Sequence, residues 1–483
     1  MEERIAFLGQ ILDNVHGFIP YTEAERRIME TLLFKRLQSI KQLSVVNWVF
    51  PGSEHTRFIH SLGVMHIADK MAQSLGLKIS ERKMLRLAGL LHDIGHYPLS
   101  HVCESPYRKP FALQEVQDDQ FCLNNIDEVK SKIEGFSIEP KITLMSKSTG
   151  RHHEAIGSLI VQYNQKIRDI IVSECGQGAP GIIADIITGN VERAEIDPLL
   201  VQILHSELDA DGIDYLMRDA TFSGTSFGSF EIEQLIRCLT VGNYRGKRIL
   251  CVTPKGIAAA DQYLINKFFS YSQVVFNKHI VVSEWMAEQV VNWMQKHHAI
   301  FPSGTTLEEW VKNPQDDKNY LNFTDNMFWS ALEKILSDEL SDLVPHYIKV
   351  FCGHLLHHEE PAYVKGSECR IVSDDPQKIR DCLKKSDIFE RPEFNNKQIA
   401  ILSSRCMSKQ VPYERFLNVI REKNVDSELT ESELELGRMM ECISVKENDG
   451  STHVLCDDER SLMQKVCDTT FAVVRLYEFP QNG

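Results

Sequence analysis

The 483-residue chain lacks most of the features that would place it in a specialised class. Its 12 cysteines include no CxxC pair, so neither a zinc knuckle nor a thioredoxin-like redox motif is written in it. No apolar run approaches the roughly 18–20 residues a membrane helix needs. The N-terminal MEERIAFLGQILDN has no basic start followed by a long apolar stretch, so an export signal is not expected. Excess positive charge is missing too: the formal net charge is −15. That argues against nucleic acid as the main partner, because phosphate backbones need a basic surface, yet it leaves room for a local basic cluster around a small anion. The setting expected is the cytoplasm, with reduced, buried thiols and no membrane partner.

What is present is an ordinary globular composition, 43% hydrophobic and 25% charged, long enough for two or three domains around a sizeable core. Residues 1–300 read mostly as helices. Apolar residues recur every three or four positions from Ser61 to Leu75, with Gly76 as the stop. Ser80 is the expected N-cap of the next helix, which carries Leu87, Leu91 and Ile94 on its apolar face and loosens at Gly95 and Pro98. Residues 102–150 read as a loop-rich insertion with one or two helices. Further helices are expected over His153–Tyr163, Pro198–Asp219, Asp261–Lys296 and Asp325–Leu343, with a turn at Gly224–Gly228. Beyond about residue 300, short β-type runs (QIAILSS, ECISVKE, THVLC, FAVVRLYEF) alternate with helical stretches such as DDERSLMQKV. The expected fold class is therefore mainly α: a helical core over 1–300, with the motif region at 54–220, and a smaller α+β region over 301–483 serving oligomerisation or regulation.

Chemistry concentrates between Glu54 and His101, where six of the 18 histidines fall: His55, His60, His66, His92, His96 and His101. A single histidine is most often a surface or satisfied core residue. Six of them, with a His92–Asp93 pair set among Leu90, Leu91 and Ile94, are harder to account for that way. A carboxylate in apolar surroundings is costly unless it is paired or bound to metal. Adjacent helical side chains diverge by about 100°, but an imidazole and a carboxylate can converge on one ion at a helix edge. His60, ahead of one candidate helix, and Asp211, within another, can complete such a site. Two imidazoles and two carboxylates suit Fe, Mn, Zn, Co or Ni rather than a thiolate-seeking ion, and leave coordination positions for water and substrate.

These runs resemble the HD superfamily, specifically its deoxynucleoside triphosphate triphosphohydrolase branch, which includes bacterial dGTPases and a vertebrate enzyme with a SAM domain ahead of the HD domain. The resemblance is carried by IKQL (Ile40–Leu43), VFPGSEHTRFIHSLGV (Val49–Val64), LLHDIGHYPLSH (Leu91–His101), HHE (His152–Glu154), SELDADGIDYLMRD (Ser206–Asp219) and, faintly, VVFNK (Val274–Lys278). It implies a helical HD fold and the metal ligands His60, His92, Asp93 and Asp211, with Asp209 on a solvated helix face. It further implies His101 as proton donor oriented by Glu104, and His153 with Glu154 and His96 beside the phosphates. Arg57, Lys267 and Lys278 would hold phosphate, Tyr215 and Asp219 the deoxyribose, and Gln42 and Leu43 the base and sugar. Mg with the substrate phosphates, a nucleotide effector and a homo-oligomer belong to the same implication.

This sequence departs from the family pattern in places. Gly212 stands where a basic residue is usual, Lys267 where an arginine is, and Val275 and Asn277 where an aromatic and a histidine are. Arg36 fits a residue that reads a guanine effector, but its neighbours differ, so GTP activation is not expected. The function implied is hydrolysis of a dNTP to deoxynucleoside and inorganic triphosphate. Two alternatives stand beside it: an HD phosphohydrolase acting on another nucleotide, and a nucleotide-sensing module without catalysis.

Overall fold

The computed structural model describes residues 4–108, 125–137, 152–191, 196–296, 301–313, 317–337, 344–386, 388–389, 398–422 and 431–479. Helices dominate them, and a smaller sheet-bearing region forms towards the C-terminus, which is the fold class the patterning implies. Five helices build the site: α1 (Arg57–Ser74), α2 (Ile79–Leu91), α3 (His101–Arg108), α4 (His152–Tyr163) and α5 (Ala210–Ser223). α1 is buried on nearly every side, which marks a central helix rather than a surface one. It packs against α2 and α5. Gly89 permits the α2 approach, since a Cβ there would meet the Met65 backbone at 3.1 Å.

Helix boundaries differ from expectation where polar pairing, not apolar periodicity, decides them. α1 begins at Arg57 rather than Ser61, so His60 lies inside its first turn. That turn is buried through ion pairs and hydrogen bonds of Arg57 and His60, which a count of apolar residues does not register. α2 is capped at Lys78 rather than Ser80, with the Lys78 N–H donating to Glu81 Oε2 at 2.8 Å. It ends at Leu91, so the His92–Asp93 pair sits at and just beyond the helix end, not within it.

The single helix expected over 198–219 is two, Pro198–Gln202 and α5. Asp209 makes the break. Its backbone is extended (φ −120°, ψ 165°), and its carboxylate accepts from Ser206 N at 3.1 Å and Gly212 N at 2.6 Å. Asp209 is thus a buried N-cap, 9% exposed, and not part of a solvated face. The stretch 261–296 is likewise divided, into Ile257–Ser270, one π-helical turn at Tyr271–Val275, and Lys278–Lys296. Within 102–150, α3 and Ile126–Glu134 are helical, and the remainder lies outside the described residues. The helix from Asp325 ends at Leu336; residues 338–343 of that expectation also lie outside them.

Two hairpins interrupt the helical region: β1 (Gly9–Asp13) with β2 (Gly17–Tyr21), and β3 (Leu239–Tyr244) with β4 (Lys247–Val252). Farther on come β5 (Ala362–Tyr363), β6 (Cys369–Ser373), β7 (Gln398–Cys406), β8 (Ser444–Lys446), β9 (Thr452–Val454) and β10 (Thr470–Glu478). The four β-type runs read from the sequence are β7 to β10. Of DDERSLMQKV only Met463–Val466 is helical. β10 is the central strand of one sheet, flanked by β7 in a register from Gln398↔Glu478 to Cys406↔Thr470, and on its other side by β5 and β6. The other sheet has the order β3-β4-β8-β9, so it joins residues from both sides of position 300. The main hydrophobic core likewise takes residues from Ile19 to Phe479, and a smaller cluster lies between β10 and the helix Pro376–Lys384. Among the described residues no single helix is long and apolar enough to cross a membrane. The bent apolar pair Gln165–Cys175 and Ala179–Thr188 packs into the core through Ile171, Ile183 and Ile187.

Candidate metal centre

α1, the end of α2 and the first turn of α5 bring His60, His92, Asp93 and Asp211 to one point. His60 Nε2 lies 3.0 Å from Asp211 Oδ1 and 3.7 Å from Asp93 Oδ2, and His92 Nε2 lies 3.5 Å from Asp93 Oδ1 and 3.8 Å from Asp211 Oδ1. Both Nε2 atoms are buried and neither has a hydrogen bond of acceptable geometry. A buried nitrogen left in that state costs on the order of 1–3 kcal/mol, so the pair points to something the protein atoms do not supply. Each ring is fixed from behind: His60 Nδ1 by Asp214 Oδ2 at 2.7 Å, and His92 Nδ1 by the Gly89 carbonyl at 2.8 Å. Anchoring Nδ1 presents Nε2 as a ligand, the usual arrangement of metal-binding histidine.

The electrostatics agree. Burial opposes a proton on His60, but the Asp211 carboxylate at 3.0 Å and the hydrogen-bonded Asp214 outweigh it and raise the imidazole to about 10. Positive charge is demanded at this spot, and a divalent cation meets the same demand. Burial likewise pushes Asp93 up, yet Arg57 and the surrounding imidazoles hold its carboxyl well below the usual range. The donor set therefore fits a divalent metal.

A second histidine group adjoins the first. His153 Nε2 is 3.9 Å from Asp93 Oδ1 and 3.9 Å from Glu154 Oε1. Glu104, fully buried, receives His101 Nδ1 on Oε2 and His153 Nδ1 on Oε1, each at 2.9 Å. Burial raises its carboxyl, but the two imidazoles overcome that and keep it ionised. His96 stacks on His153 with ring centroids 4.2 Å apart. Its Nδ1 accepts the Tyr97 N–H at 2.9 Å, and burial together with Arg57 lowers its proton affinity, so it stands as a neutral ring with Nε2–H buried and unbonded. Leu99 and Ser100, with left-handed φ of 46° and 55°, deliver His101 to this place. Asp325 and Arg36 hold that loop. Asp325 accepts the Leu99 and Lys41 N–H groups at 2.8 and 3.0 Å. Arg36 donates to the Ile94 and His96 carbonyls at 2.9 and 2.8 Å and to Tyr320 Oη at 3.0 Å. Buried, and held by these acceptors through its Nη groups while Nε has no partner, Arg36 serves as a clamp on the loop.

The other sequence-derived residues are placed unevenly. Arg57 reaches Asp93 Oδ2 at 2.5 Å and Ser100 Oγ at 2.8 Å, beside the quartet. Tyr215 lies one turn after Asp211 on α5, and Asp219 one turn farther, where it binds His55 Nε2 at 2.8 Å. Gln42 donates its N–H to the His55 carbonyl at 3.0 Å and leaves Oε1 buried without a partner; Leu43 follows it in the same loop. Lys267 is buried, with Nζ 3.4 Å from the Glu207 carbonyl and over the Tyr263 ring. Lys278 sits over Tyr363 at 4.7 Å, and among the described residues no contact joins it to the quartet. Gly212 has a structural reason: a Cβ there would overlap the Tyr263 hydroxyl and meet Asp209 Oδ1 at 2.7 Å. Asp214, Arg218, His16, Glu104's double role and Asp325 are what sequence reasoning passes over, whereas it considers Arg36 for a different role. The only hint of Asp214 in the sequence is its spacing of three from Asp211.

The HD-domain family model matches residues 57–205, the stretch that contains α1, α2, His101 and His153. This chain thus carries an HD-domain match over that stretch. It is homologous to the human deoxynucleoside triphosphate triphosphohydrolase SAMHD1, with 44% identity over 114 residues covering 22% of this chain and 18% of that protein. Uncharacterised HD-domain relatives match over more of the chain. MJ1154 of Methanocaldococcus jannaschii is 28% identical over 58% of this chain, and YwfO of Bacillus subtilis 27% identical over 59%. The matches span 49% and 58% of those two proteins, about half their length. Two solved structures share the fold across 97% of this chain. One is a hypothetical protein from Aquifex aeolicus (TM-score 0.63, 21% identity, 96% of that chain); the other is a phosphohydrolase from Bacteroides thetaiotaomicron (TM-score 0.60, 19% identity, 99% of that chain).

Proposed function

We propose that this protein is an HD-domain, metal-dependent phosphohydrolase that cleaves a deoxynucleoside triphosphate into deoxynucleoside and inorganic triphosphate. The observation that carries the hydrolase reading is the pair of buried, unbonded Nε2 atoms of His60 and His92 facing Asp93 and Asp211, with the Glu104-anchored histidines alongside. The choice of a dNTP rests on the SAMHD1 relationship and on the matched motifs.

His60, His92, Asp93 and Asp211 hold the ion in this reading, one of Fe, Mn, Zn, Co or Ni, with Mg accompanying the substrate phosphates. Such an ion, when bound, polarises a phosphoryl oxygen and acidifies a water. The protein's own groups do the rest. Arg57 spends one donor on Asp93 and one on Ser100 and offers others to a phosphate oxygen. His101, whose side chain is 52% exposed while its Nδ1 is tied to Glu104, passes a proton from Nε2 to the leaving 5′-oxygen. An ionised Glu104 stabilises that imidazolium and keeps His153, with Glu154, turned to the same space. His96 donates a neutral N–H. Tyr215 packs where a 2′-hydroxyl would sit, Asp219 binds the sugar, and Gln42 and Leu43 border the base. Lys267 and Lys278 are assigned to the distal phosphates. The reading includes a homo-oligomer, a nucleotide effector and a cytoplasmic setting, with which the eleven free thiols of the described residues accord.

The test is purified protein with Mn²⁺ or Mg²⁺ and each dNTP, with products separated by ion exchange. Triphosphate release that disappears in Asp93→Ala supports the reading. Release of pyrophosphate or single phosphate instead transfers it to another HD phosphohydrolase class, a reading favoured by the uncharged Gly212 under the Tyr263 hydroxyl. Binding without turnover would mark a sensing module.

A further inference from the structure

Behind the metal quartet lies a buried polar network whose far end is the β1–β2 hairpin. Asp214, on α5 and fully buried, is its hub. Oδ2 takes His60 Nδ1 at 2.7 Å and Arg218 Nε at 2.8 Å; Oδ1 takes His16 Nε2 at 2.5 Å and Arg218 Nη2 at 3.0 Å. Arg218 continues to Asp13, with Nη1 2.8 Å from Oδ2 and Nη2 3.2 Å from Oδ1. Asp13 also shapes the hairpin turn, accepting the Val15 and His16 N–H groups at 3.0 and 2.9 Å. The turn that carries His16 is therefore tied at both ends, to Arg218 through Asp13 and to Asp214 through the imidazole. One further residue fits only this arrangement: a Cβ on Gly63, in α1, would overlap the Asp214 carboxylate and lie 2.6 Å from Arg218 Nη2.

We infer that His16, carried by the β1–β2 hairpin some 40 positions ahead of the quartet, is a positioning residue for the metal centre: it fixes Asp214, which fixes the ring of His60. The chemistry requires such a hold. His60 can offer Nε2 to an ion only while Nδ1 keeps its hydrogen for an acceptor in the ring plane, and a carboxylate free to turn about its Cβ–Cγ bond does not keep that direction. With four donors on two oxygens, Asp214 has no free rotation. Take away His16 and Oδ1 retains only the longer Arg218 contact. Arg218 still spans both oxygens, but the carboxylate can then tilt on that fork towards the vacated side, so the aim of His60 loosens and its hold on an ion weakens.

This inference rests on the proposed metal centre, and the experiment separates the two. Co²⁺ is titrated into full-length wild type, His16→Ala, His16→Gln and Asp214→Asn against a competing chelator, with the d–d absorption recorded and the unfolding temperature of each metal-free protein measured. Wild type is expected to bind one ion per chain. His16→Ala weakens Co²⁺ by about 10–100-fold, the range typical of lost outer partners, and shifts the absorption band, while the metal-free unfolding temperature stays close to wild type. His16→Gln, which keeps an N–H donor, recovers part of the affinity; Asp214→Asn loses at least as much as His16→Ala. Should His16→Ala fail to fold, the His16→Gln affinity and spectrum decide, a wild-type value for both overturning the assignment. Wild-type affinity in a folded His16→Ala overturns the positioning role alone. Failure of the wild-type protein to bind Co²⁺ overturns the metal centre and this role together.

Discussion

The two histidine groups of this protein use the same device to different ends. In the quartet, His60 and His92 are each anchored through Nδ1, and the two Nε2 atoms converge on two carboxylates whose oxygens are not used up by them. In the neighbouring group, His101 and His153 are also anchored through Nδ1, but the anchor is a single carboxylate, Glu104, whose oxygens are both consumed by the anchoring. The first arrangement leaves anionic ligands facing a gap between nitrogens and so calls for a cation. The second spends its central carboxylate on holding the rings, with Glu154 Oε1 no nearer than 3.9 Å to His153 Nε2, and so suits a group that takes or gives a proton. The same residue types, in two adjoining groups, are sorted by where the acid sits relative to the ring.

Substitutions can break that contrast, and the largest effect comes from the quartet. Asp211→Ala should leave metal content at background by elemental analysis and turnover below detection. Glu104→Gln should retain a full complement of metal yet lower kcat by about 10²–10⁴-fold, the usual worth of general acid–base help; metal loss in this variant would erase the distinction between the groups. A smaller effect sharpens the second group's support. Asp325, buried under the His101 loop, is pushed up by burial from 3.8 to about 6 despite two backbone N–H donors. Below about pH 4 folded and unfolded chains both hold that proton, and between about 4 and 6 the folded chain alone holds it. Stability thus falls as pH rises through this window, by about 3 kcal/mol in all. Urea unfolding of wild type against Asp325→Asn across pH 4–7 should show that slope in wild type only. Gly63→Ala probes the hub behind the quartet. Helix propensity favours alanine by about 1 kcal/mol, but a Cβ overlapping Asp214 Oδ1 must displace a buried, four-donor carboxylate, which costs about 3–5 kcal/mol, so a net loss of about 2–4 kcal/mol is expected by thermal unfolding. A net gain would mean that the carboxylate has room to spare.

Much of the site was legible because its residues stand in short runs with unmistakable chemistry. His92–Asp93, His101 and His153–Glu154 can be picked out as residue types before any coordinates, and the apolar, β-branched and aromatic run FAVVRLYEF marks the almost wholly buried β10. Three things stayed hidden for physical reasons. Asp214 and His16 are an ordinary acid and an ordinary histidine about two hundred positions apart, and only the fold makes them neighbours. The hairpins GQILD–GFIPY and LTVGNY–KRILCV are short, glycine-bearing and only half-buried, so alternation is weak in them. The break before α5 depends on Asp209 turning its carboxylate back onto Gly212 N, a local hydrogen bond that competes with helix continuation and leaves the apolar spacing unchanged.

The parallel contact of β4 with β8 has a consequence for how this chain is made. Cys251 waits for Ser444, nearly two hundred positions later. At ordinary ribosomal speeds of about 5–20 residues per second, that is a delay of about 10–40 s during which the β4 edge has no partner. A gene cut near residue 300 would make the delay permanent, and its product should accumulate as inclusion bodies rather than as an isolated catalytic lobe.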